Sequence, residues 1–84
     1  RIPYPLDGQV FTDQSTITLH AEVSDNVGLA RVEWKLDGRS IGEAALPPYA
    51  LVWDARRGEH RLEVIATDLA GNQTTSEPII FRVR

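Results

Sequence analysis

With 84 residues, nine basic and twelve acidic, the chain has the size of one domain, and its formal charge of −3 leaves no positive surplus to hold a phosphate backbone, which argues against nucleic acid as a partner. A hydrophobic fraction of 42% marks a globular domain rather than a disordered segment, although a chain this short buries only about 60–65% of its unfolded surface and builds one modest core. The absence of cysteine excludes a disulfide framework and a thiolate metal site, and no apolar run approaches the ~20 residues that a membrane-spanning helix needs.

Arg1 to Gly8 carries Pro3, Pro5 and the turn pair Asp7-Gly8. It reads as an extended linker over 1–5 that becomes an edge strand, because proline cannot donate to a central ladder. Val10 and Phe11 form a short apolar piece before a polar turn. From Ser15 to Ser24, Ile17, Leu19, Ala21 and Val23 alternate with Thr16, Thr18, His20 and Glu22, the two-residue period of a strand with one buried face. Ser24 to Gly28 is a loop, rich in residues that bond their own backbone. Leu29 to Leu36 alternates again and points Trp34 inward. Asp37-Gly38 then signals a tight hairpin, which needs positive φ at both central residues. Arg39 to Gly42 returns as a short edge strand, and Glu43 to Pro48 crosses to a strand from Tyr49 to Asp54 with Tyr49, Leu51 and Trp53 in one phase.

Glu59 to Asn72 is the stretch around which the other segments arrange themselves. Leu62, Val64 and Ala66 share one face, and Arg61, Glu63 and Thr67 the other. Ile65 interrupts the polar face, which places this strand centrally with its outer side partly covered. Gln73 to Glu77 is polar, and Ile79, Phe81 and Val83 close the chain as a last strand. The apolar spacing never becomes the three-four of a helix. About seven short strands, with a turn signal every eight to twelve residues, predict an all-β antiparallel sandwich of two sheets. A start at Arg1 rather than Met predicts a single module, 1–84, excised from a longer protein.

The order and spacing of several short motifs resemble one family. They are Pro5-x-Asp7-Gly8, Val32-Glu33-x-x-x-Asp37-Gly38, Pro48-Tyr49 leading to Trp53-Asp54, Gly58-x-His60-x-Leu62, and Ala66-Thr67-Asp68-x-Ala70-Gly71-Asn72. Together they are similar to bacterial immunoglobulin-like (Big-type) domains. Such modules occur in cell-surface and secreted bacterial proteins, in polysaccharide-degrading enzymes and, in a related form, at the C-terminus of some class A penicillin-binding proteins. The resemblance implies a non-catalytic accessory domain outside the cytoplasm, in the periplasm, at the cell surface or secreted.

One constellation has chemical potential. In an immunoglobulin-like sandwich the loop after the second strand shares a pole with the loop after the long strand, which brings Asp25 and Asn26 towards Asp68 and Asn72. Carboxylates, amides and backbone carbonyls are the oxygen donors that calcium requires, so these four residues are the candidate calcium ligands and calcium is the sole candidate cofactor. The same residues also stabilise tight turns by bonding local backbone, and that role is the one the pattern favours. Trp34 and Trp53 share the phase of apolar neighbours and belong to the core, which leaves a carbohydrate platform to be built from Tyr4 and Tyr49. His20 and His60 fall on strands of different sheets and make no shared site. His60 reads as a hydrogen-bonded cap at the rim of the core. No serine has a base beside it, and Ser24 and Ser76 read as turn residues, so no catalytic residue is assigned. The resulting reading is a module that spaces, orients or attaches neighbouring domains of its parent chain. The alternative is a binding module for cell-wall polysaccharide or a protein partner.

Overall fold

The computed structural model describes residues 1–23 and 28–84. Among the described residues eight strands follow in order: β1 (Val10–Phe11), β2 (Thr16–His20), β3 (Leu29–Leu36), β4 (Arg39–Ala44), β5 (Ala50–Asp54), β6 (Gly58–Asp68), β7 (Gln73–Thr75) and β8 (Ile79–Val83). One sheet runs β1-β8-β6-β3-β4, with β7 also pairing β6, and β2 and β5 form the other. All pairings are antiparallel except that of β1 with β8. The predicted all-β sandwich is therefore present, and the long strand is central, flanked by β3 on one side and by β8 and β7 on the other.

The two-residue period decides what the sheets enclose. Val32, Trp34 and Leu36 from β3, Leu62 and Val64 from β6, and Phe81 and Val83 from β8 face Ile17, Leu19 and Trp53 from the smaller sheet. Trp34, Leu19, Leu62 and Val32 are completely buried. Each large side chain so enclosed contributes roughly 1.5–3 kcal/mol relative to exposure. The β3–β4 hairpin turns at Asp37 and Gly38, with φ of 54° and 83°, the left-handed pair that the Asp-Gly signal requires. At the other side of the sandwich β4 approaches β5 through Gly42. A Cβ there would lie 2.8 Å from Cδ1 of Leu51, so the missing side chain lets the two sheet edges close.

Four local expectations are corrected. Residues 1–8 do not become an edge strand: Tyr4 makes a single bridge to His20 beside the smaller sheet, and the edge strand is Val10–Phe11, paired with Arg82 and Val83 of the larger one. Pro5, between these two attachments, is fully buried. The second strand ends at His20, although the amides of Ala21 and Glu22 still donate to Tyr49 O and Arg1 O at 2.9 Å each. Thr67, expected outside with Arg61 and Glu63, is buried, because Arg31 and Gln73 flank it on both sides and Gln73 Nε2 reaches its hydroxyl at 3.4 Å. Finally, the polar run after Asn72 contains β7. It pairs with β6 through backbone groups, which an alternation of apolar side chains does not report.

The seam between β7 and β8 has its own stitch. Ser76 donates its amide to Val64 O at 2.8 Å, and its hydroxyl accepts the Val64 N–H at 2.9 Å. β7 and β8 are thus one run along β6 broken in two, with a side-chain oxygen completing the ladder where the backbone leaves it.

Candidate functional site

β6 spans the molecule. Its eleven residues, at about 3.3 Å each, separate Gly58 from Asp68 by about 33 Å and define two poles.

At the Asp68 pole the chain leaves β6 through a tight loop. Asp68 Oδ1 accepts the N–H groups of Ala70 and Asn72 at 2.9 and 2.8 Å, and Oδ2 accepts Asn72 Nδ2 at 3.1 Å. The Asn72 N–H, followed by its side-chain amide, holds the Asp68 carboxyl below the usual carboxylate range, against a smaller opposing effect of burial. Leu69 N donates to Gly28 O at 2.7 Å, so the end of the loop after β2 does meet the β6–β7 loop. Asp25 and Asn26 lie outside the described residues. Of the four candidate calcium ligands the structure places Asp68 and Asn72 together, and there the carboxylate serves the turn. Among the described residues no three His, Asp or Glu side chains are gathered as a metal site. Arg1 lies at this pole too, its carbonyl bonded to the Glu22 amide and its guanidinium 3.4 Å from the Glu22 carboxylate.

At the opposite pole His60 enters the rim of the core beneath the hairpin turn. Its Nδ1 is 2.8 Å from Asp37 Oδ2, and its Nε2 is 2.8 Å from Arg56 O. Asp37 Oδ1 accepts the Arg61 N–H at 2.8 Å. Burial pushes the Asp37 carboxyl up, but the hydrogen bonds from His60 and Arg61 and the charge of His60 together hold it below its ordinary value. The ring stands edge-on to Trp53, with centroids 5.0 Å apart, and tilts against Phe81 at 5.5 Å. An Asp–His pair is two-thirds of a nucleophile-activating triad, but here the nitrogen that would take a proton from a nucleophile already faces a backbone carbonyl. The pair binds loop to hairpin. His20 lies on β2, exposed and edge-on to Tyr4, and has no part in it.

The phase of His60 marks it as a capping group, whereas no periodicity marks Asp37 as its partner. The signal existed in the Asp-Gly turn, because a hairpin between β3 and β4 puts that turn beside the start of β6. The aromatics do not form a sugar platform: Tyr49 is buried, both Trp are buried, and Tyr4 stands alone at 37% exposure.

The profile of the bacterial Ig domain family matches residues 1–64. The uncharacterized protein YvnB of Bacillus subtilis (strain 168) is 37% identical over 78 residues, which cover 92% of this chain and 6% of that protein. Fibronectin(III)-like modules of Clostridium thermocellum CbhA superpose on the whole chain with a TM-score of 0.92 at 22% identity, over 45% of their own length. The Ig-like domain of mouse leukocyte-associated immunoglobulin-like receptor 1, solved as a strand-swapped dimer, gives a TM-score of 0.70 at 14% identity, over 96% of this chain and 92% of that one. At such identities these two structures speak for the fold alone. The family match runs through β1 to β5 and into the central strand that joins the two poles, and the chain belongs to the bacterial Ig domain family.

Proposed function

We propose that the chain is a non-catalytic spacer that sets distance and orientation between neighbouring domains of a longer bacterial protein working outside the cytoplasm. The observation that carries this reading is the position of the chain ends. Arg1 is fastened at the Asp68 pole and Val83 is paired with Gly58 at the other, in a body measuring 40 × 20 × 19 Å. Neither end hangs free: Arg84 N donates to Phe11 O at 2.9 Å. A neighbour joined at either end therefore inherits its direction from the sandwich. Family membership supports an extracellular setting, since bacterial Ig-like and fibronectin-like modules are typically found there and sit within multidomain proteins. The small share of YvnB that the chain covers accords with one module among many.

The mean separation alone does not test this. A flexible chain of 84 residues has a root-mean-square span of about 50 Å, close to the length of the folded module. The discriminating quantity is the width of the distribution. Spin labels on the two flanking domains of a three-domain segment of the parent protein are expected to give a narrow distance distribution by pulsed electron resonance. Replacement of the 84 residues by a Gly/Ser linker of equal length should broaden it several-fold. Equal widths would refute the spacer function.

A further inference from the structure

We propose that His60 is carried as the imidazolium and that its proton is a clasp, closing the Gly58 pole at neutral pH and loosening it as the solution becomes alkaline. The geometry rests on a count of donors and acceptors. A neutral imidazole has one N–H and one lone pair, whereas the protonated ring has two N–H groups. Both partners of His60 are acceptors. Arg56 O is a carbonyl, and the Asp37 carboxylate already accepts the Arg61 N–H through its other oxygen. A neutral ring would donate to one of them and set its remaining lone pair against an oxygen 2.8 Å away. Only the protonated ring satisfies both contacts. The low-lying carboxyl of Asp37 agrees with this, because it keeps that side chain from supplying the missing proton itself.

The other charged groups around the ring are balanced or engaged elsewhere. From the hairpin come Asp37 and Arg39, from β5 Asp54, and from the following loop Arg56, all lining the groove that His60 closes. Within β6, Glu59 pairs with Arg82 of β8 at 3.6 Å and Arg61 with Glu63 at 3.0 Å. The contact that selects the proton is therefore the one to the charged oxygen of Asp37. Three segments meet at the ring: the β3–β4 turn, the β5–β6 loop, and β8, where Phe81 pairs with His60 in register and tilts against it. When the proton passes to solvent, one of the two oxygens loses its donor, and the pole from which the C-terminal strand emerges loosens.

Long-range proton–nitrogen spectra of the 84-residue chain test this directly, with exposed His20 as the internal reference for an unclasped imidazole. At about pH 7, just above the ordinary imidazole range, both ring nitrogens of His60 are expected in the protonated range. Asp37→Asn provides the second arm. Asn tolerates the left-handed φ at this position. Its oxygen can accept the Arg61 N–H while its amide donates to an unprotonated Nδ1. The variant is therefore expected to shift Nδ1 into the unprotonated range and to keep the Nε2–H bond to Arg56 O. One unprotonated ring nitrogen in the parent protein at about pH 7 would overturn the proposal. So would an Asp37→Asn protein in which both nitrogens stay protonated.

Discussion

Ser76→Ala removes a single oxygen, and the structure places that oxygen where its loss is expensive. The Val64 N–H belongs to the central strand, its residue is 4% exposed, and its acceptor is the Ser76 hydroxyl at 2.9 Å. Without it a buried amide of the ladder has no partner, which costs about 1–3 kcal/mol, towards the lower end where water can follow into the half-buried Ser76 position. The unfolding entropy of 84 residues is about 0.18 kcal/mol/K, so the melting temperature should fall by about 6–17 °C. Ser76→Thr keeps an oxygen on Cβ and is expected to retain most of the stability. Thermal unfolding followed by circular dichroism reads both, and hydrogen exchange at the Val64 amide locates the effect, which should be faster in the alanine variant. A melting temperature within about 2 °C of the parent, or a threonine variant as damaged as the alanine one, would refute the assignment of Ser76 as the stitch of a broken strand.

Leu62→Ala, at a fully buried position of β6, should cost about 2–5 kcal/mol, seen as a lower urea midpoint with an unchanged slope. Acid should weaken the fold through Asp37 and Asp68. Both carboxyls lie below their ordinary value when folded, so their contribution is present above about pH 4 and is lost as pH falls through the folded values. The gap in melting temperature between the parent and either Asp→Asn variant should therefore narrow in acid, and a gap that is constant with pH would contradict this. Millimolar calcium in place of EDTA is expected to leave the melting temperature unchanged, because the Asp68 carboxylate is already engaged by the turn, with two N–H groups on Oδ1 and the Asn72 amide on Oδ2. A site saturated at 100 times its dissociation constant would add ~2.7 kcal/mol. Such a rise, abolished by Asp68→Asn, would instead assign Asp25, Asn26, Asp68 and Asn72 to calcium.

The strand phases were legible because the side-chain period of a strand is local. Leu29 to Leu36 has the predicted bounds, Trp34 and Trp53 point inward as their neighbours dictate, and Asp37-Gly38 turns as its backbone preference requires. Of the candidate site, His60 as a rim cap and its separation from His20 followed from the same phases. What the sequence by itself determined is therefore the set of pleated, one-sided segments and their turns, and with them a sandwich of a familiar family. Tertiary structure alone decided which edges meet. The Ile80 amide finds the Asp7 carboxylate across 73 residues of sequence, the first segment divides between two sheets, and the polar run at Gln73 becomes a strand because β6 offers it a ladder. The Asp37–His60–Arg56 clasp and the Ser76–Val64 stitch belong to that second class. Hydrogen bonds of this kind join residues that have no periodic relation to one another, and only the register of packed strands brings their donors and acceptors within reach.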